Sequence, residues 1–424
     1  MRYAESLNYL NSFLNLEKVL LRADNYVRNL DRMRFLLGLF GDPEKSFSAV
    51  IIAGTKGKGS TGFFLQSVLN ASGIPAGFYS SPHLSSPLER IRIAGQTISR
   101  GEWTQGLREI RSVLAARKVP ETLGHVTFFE VMTLLAALQF RKKKMKVGVF
   151  EAGLGGRFDA TRAIGARLVI LTPVELDHEQ VLGNTIAKIA AEKAAVIRRG
   201  GWVVAAPQRH PEALRVIRRQ CRLRGARLFP SGEIRGFKVG LAGDFQKMNA
   251  GAALQAAGCL RKLYGFEVTP DGLERGLAAG DWPGRLERFS GPPPVLLDGA
   301  HNPASAEVLA RNLKKILPRQ KKRILVFSSS RDKRSDRMLA ILGRTFSDVV
   351  LTLIPTPRAQ DMARLLAEAR GHFRRIYPVA SPREALAFAR RIAGRKAWVV
   401  VTGSFYLLGA VRNLLSPASS HEPS

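Results

Sequence analysis

The most informative segment of this chain is Ala53-Gly54-Thr55-Lys56-Gly57-Lys58-Gly59-Ser60-Thr61. It follows an apolar, mostly β-branched run at residues 49–52 and precedes a largely apolar segment at residues 63–69. A strand, a glycine loop and a helix start in this order are typical of a phosphate-binding turn, because backbone N–H groups point inward and the helix N-terminus adds partial positive charge. The pattern predicts that the loop binds a nucleotide, with Lys58 reaching its outer phosphates.

This loop differs from the common form G-x-x-x-x-G-K-[ST], which needs glycine at position 52 and Ser or Thr at position 59. The chain has Ile52 and Gly59 at those positions. Its own pattern, G-T-x-G-K-G-S, resembles the ATP-binding loop of the Mur-type amide ligases.

The composition excludes several classes of protein. The 424 residues suffice for two or three domains. No run of about 18 or more uncharged apolar residues occurs, so we expect no membrane partner, and the N-terminus lacks the layout of a signal peptide. Cys221 and Cys259 have neither metal-ligand nor disulfide spacing. These features predict a cytoplasmic location.

The net charge of +32, from 66 Lys and Arg against 34 Asp and Glu, predicts a positive field that attracts anions such as ATP or nucleic acid. Basic clusters occur at residues 141–144 and 331–334, among others. A dedicated nucleic-acid binder would gather this charge in one module with interleaved aromatic residues. Because the charge is spread along the chain, we expect no specific nucleic-acid partner.

Strand-like and helix-like segments alternate nearly throughout, which predicts an α/β fold with mostly parallel sheets. A P-loop ATPase-like central domain is expected at residues 1–285, and a second, smaller Rossmann-like C-terminal domain at residues 295–415. The Pro- and Gly-rich stretch between them is interpreted as an interdomain linker. Residues 416–424 are expected to form a flexible tail.

The predicted elements fall into two groups. The first group has strands at 48–53, 146–151, 167–172 and 202–206, and helices at 60–71, 127–143, 185–198 and 211–223. The second group has strands at 295–297, 323–328, 348–353, 375–379 and 398–402, and helices at 303–316, 335–344, 360–369 and 382–393.

Polar side chains follow two of the predicted strands. Glu151 ends one strand, where α/β sheets bind ligands, and its carboxylate is a hard oxygen ligand suited to Mg²⁺. His178 follows another strand beside Asp177, a position that favours a metal role. Ser81 lies in a proline-bounded loop and offers a hydroxyl to Mg²⁺.

For two further groups of residues, spacing in the sequence indicates the function less clearly. Lys193 lies on a helix with an apolar face, and spacing alone favours an exposed lysine. Asp298 and His301 follow the strand at 295–297, and together with Arg285 we expect them to reach a nucleotide.

Taken together, these segments resemble the folylpolyglutamate synthase/dihydrofolate synthase branch of the Mur ligase family, over residues 30 to 415. The order and spacing of the segments carry the resemblance. They are the glycine loop, Thr127-Phe128-Phe129-Glu130, Glu151 to Thr161, Asp177-His178, Lys193, Asn249-Ala250, Trp282-Pro283-Gly284-Arg285, Asp298 to Pro303 and Thr402-Gly403-Ser404.

The resemblance implies roles for individual residues. Lys58, Lys193 and His301 would be catalytic, with Lys193 carbamylated and its new carboxylate supporting a metal. The ATP-binding residues would be Thr55, Lys56, Gly57, Lys58, Gly59, Ser60, Asn249, Arg285 and Asp298. Two Mg²⁺ ions would be bound by Ser81, Glu151 and His178, and a K⁺ ion is a further candidate. The pterin site would be lined by Thr127, Phe158, Asp159 and Ala160.

The implied activity is ATP-dependent addition of L-glutamate to a folate carboxylate through an acyl phosphate. The acceptor would be tetrahydrofolate, with dihydropteroate as an additional acceptor, and the protein would be a monomer. Two alternatives stay open, namely a ligase acting on a cell-wall peptide precursor and a nucleic-acid-stimulated P-loop ATPase. Residues 331–334 lack the second acid of the family's Asp-Lys-Asp segment, which leaves the glutamate contacts open.

Overall fold

The fold is described from a computed structural model for residues 1–15, 29–317 and 322–415. The expected tail at residues 416–424 lies outside these residues. The chain divides into two compact units. The first comprises Met1–Pro82, Leu88–Gly240 and Asp244–Gly280, and the second comprises His83–Pro87, Leu241–Gly243 and the chain from Asp281 onward.

The boundary expected at residue 285 therefore falls inside the second unit. Hydrogen bonds explain this placement. The Gly284 N–H donates to Glu287 at 2.8 Å, and the Gly284 carbonyl accepts the Gly299 N–H at 2.9 Å. These bonds tie the residues before 285 to the first strands of the second unit.

The first unit is built on an eight-stranded sheet with the order β4-β3-β2-β5-β1-β6-β7-β8. Strands β2, β5, β1, β6, β7 and β8 are parallel, while β3 and β4 extend the sheet as antiparallel edge strands. The strands are β1 Ser48–Ala53, β2 Ala76–Tyr79, β3 Ile91–Ile93, β4 Gln96–Thr97, β5 Val147–Glu151, β6 Leu168–Leu171, β7 Trp202–Ala205 and β8 Arg227–Pro230.

Ten helices of the described residues belong to this unit. They are α1 Tyr3–Asn11, α2 Asn29–Leu39, α3 Lys58–Ala71, α4 Arg100–Ala116, α5 Phe128–Lys142, α6 Glu179–Leu182, α7 Ile186–Ala194, α8 Pro211–Arg224, α9 Phe245–Tyr264 and α10 Pro270–Ala278.

The core of the first unit follows from the apolar strands. β1 reads Ser-Ala-Val-Ile-Ile-Ala, and every residue after Ser48 is buried. Such near-continuous apolar runs mark parallel strands that are covered on both faces. Phe140 and Phe150 meet edge-on at 5.3 Å between ring centroids within the same cluster. The central strands are therefore rigid supports for the loops that follow them.

The second unit has a six-stranded sheet with the order β13-β12-β11-β14-β10-β9, in which only β9 is antiparallel to its neighbour. Its strands are β9 Glu287–Phe289, β10 Val295–Leu297, β11 Arg323–Phe327, β12 Asp348–Leu351, β13 Arg375–Pro378 and β14 Trp398–Thr402. Its helices are α11 Pro303–Ile316, α12 Ser335–Gly343, α13 Met362–Ala369, α14 Pro382–Ala393 and α15 Phe405–Leu415.

The predicted α/β class with two mostly parallel sheets is confirmed. The nine predicted strands lie close to their observed bounds, whereas β2, β3, β4, β8 and β9 were not predicted. β2 has only four residues. β3, β4 and β9 have only two or three residues, and β8 is a half-exposed edge strand, so none carries a strong apolar pattern. None of the described helices is long and apolar enough to cross a membrane.

Two helices approach closely behind the glycine loop. α10 packs against α3, and Gly276 allows this because an added Cβ would lie 2.6 Å from the Val68 backbone nitrogen. Gly272 meets the backbone of Ser72 in the same way. These glycines fix the distance between α10 and the helix that begins at the loop.

We predict that Gly276→Ala lowers the free energy of unfolding by about 1–3 kcal/mol, since a rigid backbone cannot yield to the methyl group. Urea denaturation followed by circular dichroism measures the effect. Gly258→Ala in α9 is the matched control, because its Cβ would meet open space. This control should raise the free energy of unfolding by about 0.4–1 kcal/mol. Equal effects of the two substitutions would contradict the packing argument.

Candidate active site

The glycine loop leaves β1 at Gly54 and enters α3 at Lys58. Gly54 has φ +151°, and a Cβ at this residue would collide with the Thr172 hydroxyl and lie 2.9 Å from the Thr172 carbonyl. Gly57 has φ +81° and precedes α3, and its Cβ would collide with Asn249. Glycine is therefore required at both positions by backbone conformation and by lack of space.

Backbone hydrogen bonds seat this loop on the segment after β6. The N–H groups of Thr55 and Lys56 donate to the Pro173 carbonyl at 2.9 and 3.3 Å. The Thr55 hydroxyl also donates to the Glu175 carbonyl at 3.2 Å and accepts the Glu175 N–H at 3.1 Å. Because these amides are engaged, the N–H groups at the start of α3, from Gly57 to Ser60, are the ones suited to phosphate oxygens.

Lys58 lies over the end of β5. Its Nζ is 3.7 Å from Oε1 of Glu151, whose carboxylate is almost fully buried. Oε2 of Glu151 accepts the Ser81 N–H at 3.3 Å. The pairing of β1 with β5 and of β2 with β5 explains this meeting, since it brings the loops after three parallel strands to one edge of the sheet.

Lys193 is buried, with 6% of its surface exposed, and its Nζ donates to the Gly54 carbonyl at 2.9 Å. The exposed lysine that spacing alone favours was therefore wrong. The apolar face of α7 packs inward, and Lys193 lies on that face near the helix end. The structure thus brings together Gly54, Lys58, Ser81, Glu151 and Lys193.

α9 contributes a polar cluster on the other side of the loop. Gln246 donates from Nε2 to the Ser60 hydroxyl at 3.3 Å, and Asn249 donates from Nδ2 to Oε1 of Gln246 at 2.9 Å. All three side chains are buried. Asn249 therefore lies beside the loop, next to Gly57.

His178 lies before the short helix α6 with φ +51°, a left-handed conformation that is uncommon for a residue other than glycine. Its N–H donates to Oδ1 of Asp177 at 3.0 Å, and its ring is partly exposed. Strained backbone of this kind clusters at ligand-binding sites.

The side chains near the glycine loop include oxygen donors suited to the implied metal ions. Among the described residues, no three His, Cys, Asp or Glu side chains are grouped as a metal site. Glu151 nevertheless offers a buried carboxylate, and its contact with the backbone N–H of Ser81 brings a residue that carries a hydroxyl beside it. This oxygen set fits Mg²⁺, which takes one or two protein ligands and completes its shell with phosphate oxygens and water.

Thr127 forms a capping box at the start of α5. Its N–H and hydroxyl both donate to Oε2 of Glu130 at 2.8 Å. Arg32 donates from Nε to both carboxylate oxygens of Glu130, and both side chains are buried. Burial raises the pKa of Glu130, although Arg32 and Thr127 oppose the shift. This network holds the Thr127 end of α5 in place.

The loop after Glu151 is closed by Asp159. Its Oδ2 accepts the N–H groups of Gly153 and Leu154 at 2.9 and 3.0 Å, and its Oδ1 accepts the Thr161 N–H at 3.0 Å. Burial raises the pKa of this carboxyl, while the hydrogen bonds lower it. Asp159 therefore shapes the loop and sets the position of Phe158 and Ala160.

This loop touches the start of α5. A Cβ at Gly153 would lie 2.7 Å from the Phe129 ring, so the two segments are in close contact. Thr127, Phe158, Asp159 and Ala160 are thus carried by adjacent segments of the first unit.

A separate cluster lies in the second unit after β10. Asp298 accepts the N–H groups of Leu286 and Ala300 at 3.1 and 3.0 Å. Burial raises its pKa, and the nearby Arg285 is the main opposing influence. The Arg285 guanidinium lies 4.9 Å from the centre of the Phe405 ring, and the His301 ring lies 5.5 Å from the same centre.

The segment that lacks the family's second acid also belongs to the second unit. Asp332 pairs with Arg358 at 2.6 Å, and Lys333 lies 3.9 Å from the same carboxylate oxygen. Arg334, at the position of the missing acid, is half-exposed and pairs with Asp336. Lys333 and Arg358 therefore place two cations beside one buried carboxylate.

Sequence reasoning missed several residues of these clusters. Pro173 and Glu175 hold the glycine loop through their backbone, and no side-chain pattern reveals that function. Gln246 lies one turn before Asn249 on α9. Because α9 begins at Phe245, the two side chains lie on the same face of the helix, and this spacing was the available signal. Phe405 follows Thr402-Gly403-Ser404 directly, and its aromatic ring was the available clue.

The chain is similar to known proteins in sequence and in structure. A family model described as Mur ligase, glutamate ligase domain, matches residues 284–405. A dihydrofolate synthase/folylpolyglutamate synthase of Bacillus subtilis is 34% identical over 411 residues, covering 91% of this chain and 94% of that protein.

Solved structures are similar over the whole chain. Folylpolyglutamate synthase of Mycobacterium tuberculosis, complexed with ADP, has a TM-score of 0.86 at 29% identity and covers 100% of this chain and 99% of that one. The bifunctional folylpolyglutamate synthase/dihydrofolate synthase of Yersinia pestis, complexed with AMPPNP and Mn ion, has a TM-score of 0.83 at 28% identity and covers 98% of both chains. The chain therefore belongs to the folylpolyglutamate synthase/dihydrofolate synthase family of Mur ligases.

Proposed function

We propose that this protein is an ATP-dependent ligase that adds L-glutamate to a folate carboxylate, acting on tetrahydrofolate and also on dihydropteroate. The observation that carries the proposal is the grouping of Lys58, Glu151, Ser81 and buried Lys193 around the glycine loop. Family membership supplies the substrate class.

The chemistry explains why such a site is needed. A carboxylate is a poor electrophile at neutral pH, since its leaving oxygen is too basic. Attack of the carboxylate oxygen on the γ-phosphorus of ATP breaks the bond to ADP and forms an acyl phosphate. The glutamate amine then attacks the acyl carbon, phosphate leaves, and the amine loses a proton. The protein contributes positioning and charge neutralisation.

The first unit supplies the phosphate-binding groups. The N–H groups from Gly57 to Ser60 and the Lys58 ammonium would hold the phosphates, as a glycine loop before a helix does in general. Thr55 and Lys56 would hold the shape of the loop, because their amides bind Pro173. Asn249 would contact the nucleotide from α9.

Glu151 and Ser81 would hold Mg²⁺, with His178 as a further ligand, and the ions would neutralise charge on the transferring phosphoryl group. Lys193 is proposed to be carbamylated, which replaces its positive charge with a carboxylate. The burial of Lys193 beside the Gly54 carbonyl supports a function inside the site. A K⁺ requirement, a monomeric state and a cytoplasmic location stay predictions.

The remaining residues are assigned by resemblance and local geometry. In the second unit, Arg285 and Asp298 are proposed to contact ATP, with His301 near the reacting phosphate. Phe405 supports this assignment, since its ring orients both Arg285 and His301. In the first unit, Thr127, Phe158 and Ala160 are proposed to line the pterin site, with Asp159 shaping the loop.

We predict that the purified protein releases ADP only when Mg-ATP, glutamate and a folate acceptor are all present. Dihydropteroate and tetrahydrofolate monoglutamate should be tested in separate reactions. Mass analysis should show each product heavier by one glutamyl residue. ADP release that depends on polynucleotide, or a product formed only from a cell-wall peptide precursor, would contradict the proposal.

We predict that Lys58→Ala lowers ADP formation by at least about 100-fold, because its ammonium neutralises charge in the transition state. Turnover should be measured with saturating substrates. Lys45→Ala is the matched control, since Lys45 is exposed and pairs with Asp42 at the surface. Its activity should be unchanged. Substantial turnover by folded Lys58→Ala would exclude the phosphate-binding function.

We predict that Lys193→Ala is inactive and that a short carboxylic acid restores part of the activity by replacing the carbamate. Lys188→Ala, on the exposed side of α7, is the control and should stay active. Native mass spectrometry and ¹³C NMR with labelled bicarbonate test the modification directly. An active enzyme with unmodified Lys193 would refute the carbamate.

A further inference from the structure

A group of arginines lies along the outside of the loop that follows Glu151. It is called here the arginine cluster and consists of Arg34, Arg157, Arg162, Arg198 and Arg224. The Arg162 side chain donates to the Arg157 carbonyl at 2.7 Å. Arg198 donates to the carbonyl of Gly165, which ends the 3₁₀ helix Ala160–Ile164. α2, which carries Arg34, packs against that short helix.

The arginine cluster carries more positive than negative charge. Arg34 pairs with Asp31 at 3.0 Å, and Arg157 pairs with Glu192 at 2.7 Å. Within the described residues, Arg162, Arg198 and Arg224 form no ion pair with a carboxylate. The pKa of Arg162 is lowered first by burial and then by Arg224, Arg34 and Arg157, while Glu192 raises it. An anion bound among these arginines would relieve their repulsion.

The arginine cluster is joined to the proposed reaction site within the first unit. A Cβ at Gly156 would lie 2.8 Å from the Glu192 carbonyl and 2.9 Å from the Lys193 carbonyl, so the loop packs directly on α7. Glu192, the partner of Arg157, is the residue before Lys193. The same loop carries Phe158 and Ala160, which are proposed to bind the pterin.

The substrate chemistry indicates which anion fits. Each reaction cycle lengthens the folate tail by one glutamate and adds one carboxylate. The pteridine and the reacting carboxylate have fixed positions in such a site, whereas the number of glutamates between them grows. In a long tail the middle glutamates must therefore leave the direct path, and their carboxylates require positive partners outside it.

We propose that the arginine cluster binds the middle carboxylates of a long γ-glutamyl tail and so sustains the addition of glutamate to folates that already carry several. This inference rests on the proposed function and names the part of the substrate that these residues recognise. Arginine suits the task, because its planar guanidinium binds carboxylates through two parallel hydrogen bonds. The exposure of Arg34 and Arg157 makes such binding modest and sensitive to salt.

The test compares tail lengths in one double variant, Arg162→Gln with Arg224→Gln. The readout is kcat/KM for tetrahydrofolate with one glutamate and with three. The control is Arg218→Gln with Arg219→Gln, which removes the same charge from exposed positions of α8. A second comparison, Arg162→Lys with Arg224→Lys, keeps the charge but removes the fork-shaped donor.

We expect the double Gln variant to lose about three- to tenfold in kcat/KM for the triglutamate, mainly through KM, with the monoglutamate unchanged. The Lys variant should recover part of the loss, and added salt should reduce the difference. Equal losses for both tail lengths would indicate a structural effect on the loop and overturn the inference. Equal losses in the control variant at Arg218 and Arg219 would also overturn the inference, because they would show a general effect of surface charge.

The proposed function is tested separately with the unmodified protein, and it fails if this protein extends neither the monoglutamate nor the triglutamate.

Discussion

The structure depends on the close approach of Gly54 to Thr172. Parallel pairing of β1 with β6 brings the two strand ends together, and only a residue without a side chain fits between them. After Gly54, the N–H groups of Thr55 and Lys56 donate to the Pro173 carbonyl, and these hydrogen bonds fix the course of the loop. α3 then begins with its N–H groups directed at the place where phosphates would lie.

The charged groups follow from that constraint. β1 has β5 on one side and β6 on the other, so Glu151 lies next to the loop. Lys58 and Lys193 approach from two helices, one above the Glu151 carboxylate and one against the Gly54 carbonyl. Burying charge is costly unless partners are present. Positive and negative groups held together in this way are therefore suited to ATP and its metal ions, which carry charges of both signs.

Much of the fold was readable from the residues. The β-branched runs of β1, β5 and β6 and the glycine pattern identified the central strands and the loop, because buried parallel strands need continuous apolar segments. The short strands β3, β4 and β9 were not readable, since two or three residues do not make a recognisable apolar pattern. The division between the two units was not readable either. His83–Pro87 belongs to the second unit, although the residues on both sides of it in the sequence belong to the first.

The α/β class, the glycine loop and the order of the polar motifs can be read from the residues alone, because these are local patterns of period and residue type. Which of these motifs lie next to one another depends on the folding of the whole chain. The sequence pattern of its helix predicts an exposed Lys193, yet packing places its Nζ against the carbonyl of Gly54, which is 139 residues away in the chain. The arginine cluster likewise draws on α2, the loop after Glu151 and α8, which are distant in sequence. Such juxtapositions arise from strand order and helix packing, which no single segment encodes.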